Sequence, residues 1–227
     1  MPVFRLNSSK IFPPPSLAEP DGLLAYGGDL SVERLLNAYV NGIFPWFNPD
    51  EEILWWCPRE RFVIFPNEIH ISRSMKKFLR ESEIKIKFDE DFSQIMKGCR
   101  ELREGATWIS DEMEDAYGAL FDAGYVLCVG VYEKNILVGG LYGVVIGKCF
   151  FGESMFSKTK NASKIALIKL CEFLSKKNFL FVDCQFHTPH LESMGGKFIS
   201  WHDYRSLLRI GISFDNIASN IRGDKKK

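Results

Sequence analysis

The periodicity of the chain changes at Tyr125, and the hundred or so residues beyond that point leave few possible folds. Three β-rich runs, Val126 to Tyr132, Ile136 to Ile146 and Cys149 to Phe156, are separated only by Glu133-Lys134-Asn135 and by Gly147-Lys148. Connections that short join antiparallel neighbours, so the runs predict a meander. A helical pattern over Ala162 to Lys176 comes next, then an apolar run from Leu180 to Cys184. Strand, helix and strand in that order require a parallel crossover, which turns the meander into a mixed sheet. On a helical wheel Ala162, Ala166, Leu167, Leu170, Cys171, Phe173 and Leu174 fill one arc, opposite Lys164, Lys169, Glu172 and Lys176. That arc packs on the sheet or walls a cavity.

The front of the chain reads as α+β. Ser31 is a suitable N-cap for a helix carrying Leu35, Leu36, Ala38, Tyr39 and Val40, and Arg61-Phe62-Val63-Ile64-Phe65 reads as a strand stopped by Pro66. Ser72 can cap a basic helix with Arg73, Lys76, Lys77 and Arg80, and Phe92 to Arg103 and Asp111 to Ala123 are further helical segments. The expected organisation is a small α+β part over residues 1–62 and a larger mixed-sheet part over residues 63–227.

Of the 227 residues 46% are hydrophobic and 26% charged, which excludes disorder, collagen-like repeats and a coiled coil. No run approaches the roughly 18 apolar residues of a membrane span, and the amino terminus lacks a signal-peptide core, so a cytoplasmic protein is expected. Six cysteines stand singly among apolar residues and read as reduced thiols. Formal net charge is zero but unevenly spread. Residues 1–157 hold 16 Lys and Arg against 23 Asp and Glu, while residues 158–227 hold 13 against 6. A basic last third can offer a face to phosphate, although three of its charges are only the tail Lys225-Lys226-Lys227.

Four groups of residues bear on chemistry. The spacing Cys184-x-x-His187-x-x-His190 mimics a metal set, but Pro189 forbids regular helix there and no fourth ligand is near in sequence, so no metal is expected. A Cys184 nucleophile is weaker still, because Cys184 alternates within an apolar strand and is expected to face a core. Asp183 and Gln185 lie at i and i+2 and are expected to leave one face of the sheet, with a loop cap as the plainer role for Asp183. A carboxylate at Glu153, inside Phe150-Phe151-Gly152-Glu153-Ser154-Met155-Phe156, needs a partner or a use. Trp46, Trp55, Trp56 and Trp108 stand in Gly- or Pro-rich surroundings, where most pack but an exposed ring can stack on a base.

Taken in order along the chain, several segments resemble the leucyl/phenylalanyl-tRNA–protein transferase family. They are Phe12-Pro13-Pro14-Pro15, Asp21 to Leu30, Gly42-Ile43-Phe44-Pro45-Trp46-Phe47, Leu54-Trp55-Trp56-Cys57-Pro58, Thr107-Trp108-Ile109, Gly139 to Gly143, Gly152 to Ser157 and Asp183-Cys184-Gln185. The resemblance implies a small amino-terminal α+β domain followed by a GNAT-like acyltransferase domain with a mixed sheet. It implies transfer of Leu or Phe, and less readily Met, from aminoacyl-tRNA to the α-amino group of proteins that begin with Arg or Lys, which marks them for degradation.

By the same resemblance Asp183 and Gln185 orient and activate the attacking amine, and Glu153 is a carboxylate at the pocket. Leu141, Phe150, Leu167, Leu170, Leu174 and Val182 line the apolar pocket for the transferred side chain, and Trp46 and Trp108 hold the terminal adenosine. Lys158 stands where an Arg is common in the family, and Leu141, Leu170 and Leu174 where Met or aromatics are. Arg73, Lys76, Lys77, Arg80, Lys158 and Lys160 are the candidates for tRNA phosphate contacts. An aminoacyl ester is already activated, so no ATP, metal or other cofactor is expected, and the protein is expected to act as a monomer. The competing readings are an acetyl-CoA-dependent acetyltransferase and a non-catalytic tRNA-binding module. Against the first, Ser157-Lys158-Thr159-Lys160-Asn161-Ala162-Ser163-Lys164 contains no glycine for a pyrophosphate loop.

Overall fold

The computed structural model describes residues 3–101 and 109–213. A small sheet comes first: β1 (Phe4–Leu6), β2 (Leu23–Gly27), then α1 (Val32–Val40), β3 (Phe44–Pro45) and β4 (Leu54–Trp56). Its strand order is β1-β2-β4-β3, with β1 and β2 parallel. Helix α1 starts where expected, since the Ser31 hydroxyl accepts from the Arg34 amide.

The remaining elements are β5 (Glu60–Ile64), α2 (Arg73–Glu81), β6 (Ile84–Phe88), α3 (Phe92–Glu101), α4 (Asp111–Asp122), β7 (Val126–Glu133), β8 (Ile136–Ile146), β9 (Cys149–Ser157), α5 (Ala162–Lys176), β10 (Phe181–Asp183), α6 (Pro189–Ser193), β11 (Lys197–Ser200) and α7 (Trp201–Ser213). The strands form a seven-stranded mixed sheet in the order β11-β5-β10-β9-β8-β7-β6. The meander β7-β8-β9 and the crossover through α5 to a parallel β10 are as read from sequence. Strand β5 spans the 62/63 division and pairs only with β10 and β11 of the larger sheet.

Both faces of this sheet are covered, which is why its inner strands read as unbroken apolar runs. On one side Leu127, Val129, Leu141, Phe150 and Val182 pack with Ile165, Ala166 and Leu170 of α5 and Met75 of α2. On the other, Phe151, Phe156 and Phe181 pack with Ile95, Tyr117 and Tyr204 and with Leu35 and Tyr39 of α1. Helix α1 therefore joins the small sheet to the large one through a shared core. All six cysteines are free thiols. No helix among the described residues is long and apolar enough to cross a membrane.

Two local features create the site. Strands β9 and β10 pair only over Cys149–Phe151 with Phe181–Asp183, after which β9 runs on to Ser157 and β10 ends. The pair opens into a fork. At the same level the β8–β9 register slips, with Tyr142 opposite Ser154 but Gly143 opposite Gly152, so Glu153 is the extra residue of a bulge. Glu153 still faces Tyr39, as Phe151 two residues earlier does, and the bulge resets the alternation beyond it, so that Phe156 faces the same core. Close approach requires glycine here, because a Cβ on Gly143 would lie 2.2 Å from the Phe151 carbonyl oxygen.

Candidate active site

A cavity of about 380 Å³ occupies the fork. Its apolar wall includes Leu141, Phe150, Leu167, Leu170 and Val182, residues that the resemblance assigns to the pocket. Leu174 does not belong to it. One helical turn beyond Leu170, it is fully enclosed in the core beneath the sheet, which corrects the place that the resemblance gave it.

Glu153, Ser154 and Gln185 are among the polar residues that line the cavity. Glu153 accepts from the Tyr39 hydroxyl at 2.7 Å through one carboxylate oxygen and from the Tyr117 hydroxyl at 2.8 Å through the other. The two hydroxyls also meet each other. Burial pushes the Glu153 carboxyl up to about 7, against the two tyrosine hydrogen bonds that favour its charged form. Burial and the Glu153 charge push both phenols well above their ordinary range, so they remain donors. The Ser154 hydroxyl is buried with no hydrogen-bond partner among the described residues.

Asp183 behaves differently. It is fully buried and absent from the cavity lining. Arg61 donates through Nε to both of its oxygens at 3.0 Å, and the Tyr204 hydroxyl donates to Oδ2 at 2.7 Å. Its Oδ1 also accepts from the Gln185 amide at 2.9 Å. Burial opposes the Arg61 charge, but Asp183 outweighs it and raises the guanidinium above its ordinary value. The expectation that Asp183 and Gln185 leave one face is therefore corrected. Strand β10 stops at Asp183, and Gln185 turns into the left-handed region at φ +56°, so the period-two rule no longer reaches it.

Cys184 packs against the core beneath the sheet, as expected, and at intermediate exposure also lines the cavity. Burial, aided by the Asp183 charge, pushes its thiol well above its ordinary range, which suits no nucleophile. His187 pairs with Glu192 at 2.9 Å and stacks on Phe198, while His190 lines the cavity and is held down by burial and then by Lys164. Among the described residues no three His, Cys, Asp or Glu side chains are grouped so as to hold a metal ion.

Trp46 stands at the mouth, 45% exposed, with its ring 5.3 Å from Phe186. The Trp56 indole donates to the Trp46 carbonyl at 2.6 Å, and Trp55 is buried. Trp108 lies outside the described residues. On α2, Arg73, Lys76, Lys77 and Arg80 share one face and are all exposed. Lys158 and Lys160, just before α5, are exposed too, and the Lys158 ammonium lies 4.0 Å from Glu101.

Sequence reasoning passed over Tyr39, Tyr117, Arg61 and Tyr204. Arg61 carried the same signal as Asp183, a charge inside an apolar strand, Arg61-Phe62-Val63-Ile64. The tyrosines carried none, because they reach their partners across 114, 36 and 21 residues.

Fold and cavity together describe an α+β protein with a candidate site in the fork of a parallel strand pair, lined by Glu153 and Gln185 among apolar residues. Two family profiles match the chain: the leucyl/phenylalanyl-tRNA protein transferase over residues 63–209, and the N-terminal domain of the same transferase over residues 28–59. The leucyl/phenylalanyl-tRNA–protein transferase of Syntrophus aciditrophicus (strain SB) is 47% identical over 224 residues, covering 97% of this chain and 93% of that protein. The transferase of the same name from Desulfatibacillum aliphaticivorans is 50% identical over 200 residues, 87% and 86% of the two chains. Among solved structures, an aminoglycoside acetyltransferase from an uncultured soil metagenomic sample is similar at a TM-score of 0.38 and 17% identity, over 59% of this chain and 88% of that one. The chain belongs to the leucyl/phenylalanyl-tRNA–protein transferase family.

Proposed function

We propose that the protein transfers leucine or phenylalanine, and methionine less readily, from aminoacyl-tRNA to the α-amino group of proteins beginning with Arg or Lys, acting as a cytoplasmic monomer. The new hydrophobic amino terminus marks the product for degradation. The observation that carries this reading is the cavity itself, with an apolar wall for a Leu or Phe side chain and Glu153 and Gln185 among its polar lining residues. Trp46 at the mouth takes the terminal adenosine, a stacking contact worth roughly 1 to 3 kcal/mol. The basic face of α2 takes backbone phosphates, with Lys158 and Lys160 nearer the site.

The amine nitrogen attacks the ester carbonyl carbon, an amide bond forms, and the bond to the ribose oxygen breaks. The proton lost by the amine ends on that oxygen. An α-amine has a pKa of about 7.7 to 8.0, so much of the acceleration is positioning. Gln185 accepts a hydrogen bond from the amine, and Glu153, poised at about 7, takes its proton and passes it to the leaving oxygen. Asp183 acts from behind the cavity wall by fixing Gln185.

The test is transfer of label from radiolabelled Phe-tRNA to a peptide beginning with Arg, with no ATP, metal or acetyl-CoA added. Label on that peptide and none on the same peptide beginning with Gly is the expected result. Acetylation of either peptide from acetyl-CoA, without transfer from Phe-tRNA, would overturn the reading.

A further inference from the structure

Gln185 holds a backbone conformation that a side chain with a Cβ rarely adopts, with φ at +56°. Such a residue persists only where its surroundings over-determine it. Here its amide donates to Asp183 at 2.9 Å and its carbonyl accepts from the Phe62 amide at 3.4 Å. The Cys184 amide donates in turn to the Phe62 carbonyl at 2.9 Å. Asp183 is itself fixed by Arg61 and Tyr204. None of these three side chains lines the cavity.

Arg61 reaches the other wall as well. Its Nη2 donates to the Gly42 carbonyl at 2.8 Å and to the Tyr204 hydroxyl at 3.2 Å, and its guanidinium lies between the rings of Phe44, 4.7 Å away, and Tyr204, 4.6 Å away. Gly42 has φ +72°, and a Cβ there would lie 2.9 Å from the Tyr204 ring, so the carbonyl comes close because the residue is glycine. Phe44 lines the cavity and leads directly to Trp46. A fully buried ion pair is a weak source of stability, since apolar residues of similar volume serve as well or better. This one joins the two sides of a substrate cavity.

We propose that Arg61 and Tyr204 are positioning residues for the transfer reaction: through Asp183 they hold Gln185 at the cavity, and through Gly42 and Phe44 Arg61 also sets the segment that carries Trp46. The proposal rests on Gln185 meeting the attacking amine. The Tyr204 hydroxyl, the group that Tyr204→Phe removes, bonds only Asp183 and Arg61, whereas Arg61 bonds both Asp183 and the Gly42 carbonyl. Lysine at position 61 would keep the charge but could not span Asp183 and Gly42 together.

The experiment is a kinetic double-mutant cycle with Phe-tRNA and an Arg-peptide. Tyr204→Phe, which keeps the ring and loses one hydroxyl, is expected to lower kcat roughly three- to tenfold with an unchanged KM for Phe-tRNA. In a Gln185→Ala background the same change is expected to have no further effect on kcat, because the residue it acts through is gone. Arg61→Lys is expected to lower kcat and raise the KM for Phe-tRNA as well. The same fold loss from Tyr204→Phe in both backgrounds would overturn the bracket and leave Gln185 its role. A parental kcat for Gln185→Ala alone would overturn that role and the bracket with it. Tyr204→Phe carries the test by itself if Arg61→Lys does not accumulate as folded protein.

Discussion

Glu153 and Asp183 are both carboxylates set in apolar strands beside the same fork, and the fold treats them in opposite ways. Asp183 meets a guanidinium and a phenol and is shut away from the cavity. Glu153 hydrogen-bonds two phenols and, among the described residues, no cation, with the Arg61 charge acting on it only from a distance, and it borders the cavity. Neutral donors offset only part of the cost of burying charge, so its carboxyl is displaced up to about 7. One carboxylate holds the backbone in place, and the other is left able to exchange a proton near neutral pH. The difference comes from the face that Glu153 shares with Phe151, which turns it towards the phenols of α1 and α4, and from Arg61 in the strand next to Asp183.

The largest effect should come from breaking the guanidinium pair. Removing one partner of a buried ion pair costs roughly 3 to 5 kcal/mol, and a domain of this size loses about 2 to 4 °C in Tm per kcal/mol. Asp183→Ala is therefore expected to lower the Tm by roughly 10 °C or more. Asp183→Asn should lose less stability and still lower the turnover of Arg-peptide by roughly tenfold or more, through the weakened hold on Gln185, with Phe-tRNA affinity kept. Parental turnover at a lowered Tm, in Asp183→Asn protein shown to be folded, would leave Asp183 a role in the core alone.

Glu153→Gln should do the reverse, lowering kcat by roughly a hundredfold or more at little cost in stability. The pH dependence sharpens the contrast. A carboxyl raised from 4.5 to about 7 by folding binds its proton more tightly in the folded state, so its contribution to stability is complete below pH 4.5 and is lost as pH rises through 7. The parent should then lose Tm between pH 5 and pH 8 relative to Glu153→Gln. Its kcat should rise over the upper part of that window as the base form appears. Parallel Tm curves for the two proteins would show that the Glu153 carboxyl is not displaced by folding.

How much of this was legible in the sequence depends on how far each signal reaches. The meander, the crossover and the span of α5 depend on local period and turn length, and they appear where expected. Strand β6 carried an alternating Ile84-Lys85-Ile86-Lys87-Phe88 that went unread, and α7 went unread as a helix. Asp183, Glu153 and Gln185 stood out because polar groups among apolar ones do. What each carboxylate does was illegible, because Arg61 lies 122 residues from Asp183 and Tyr39 lies 114 from Glu153. The place of Gln185 was missed by carrying the strand period past the end of the strand.

The apolar wall supplies a smaller effect with its own control. Leu170→Ala and Leu141→Ala enlarge a cavity that discriminates by shape, at about 1 to 3 kcal/mol per methylene, so they should shift transfer towards Phe and away from Leu. Leu174→Ala removes the same atoms from the closed core. It should cost about 2 to 5 kcal/mol of stability and leave the Phe-to-Leu ratio unchanged. Equal losses for both donors in Leu170→Ala would make that side chain part of the core, and a shifted ratio in Leu174→Ala would extend the cavity one turn further.

The smallest effect per residue should come from charges that the buried pair does not involve. Arg73, Lys76, Lys77 and Arg80 are exposed on one face of α2, with only a 3.9 Å approach of Lys77 to Glu81 to compete for them. Exposed charges act on phosphate through counterion release, so removing one phosphate-binding charge should reduce the slope of log affinity against log salt by roughly one unit. Replacing Lys76 and Lys77 together by Gln should flatten that slope by about two units for Phe-tRNA, with kcat at saturating tRNA and the Tm both unchanged. Carboxylate changes should do the opposite, altering kcat or Tm while the salt slope stays at its parental value. A parental slope after the double lysine replacement would put the tRNA on another face, with Lys158 and Lys160 next to be tested. A lowered kcat at saturation would mean that α2 influences the fork itself.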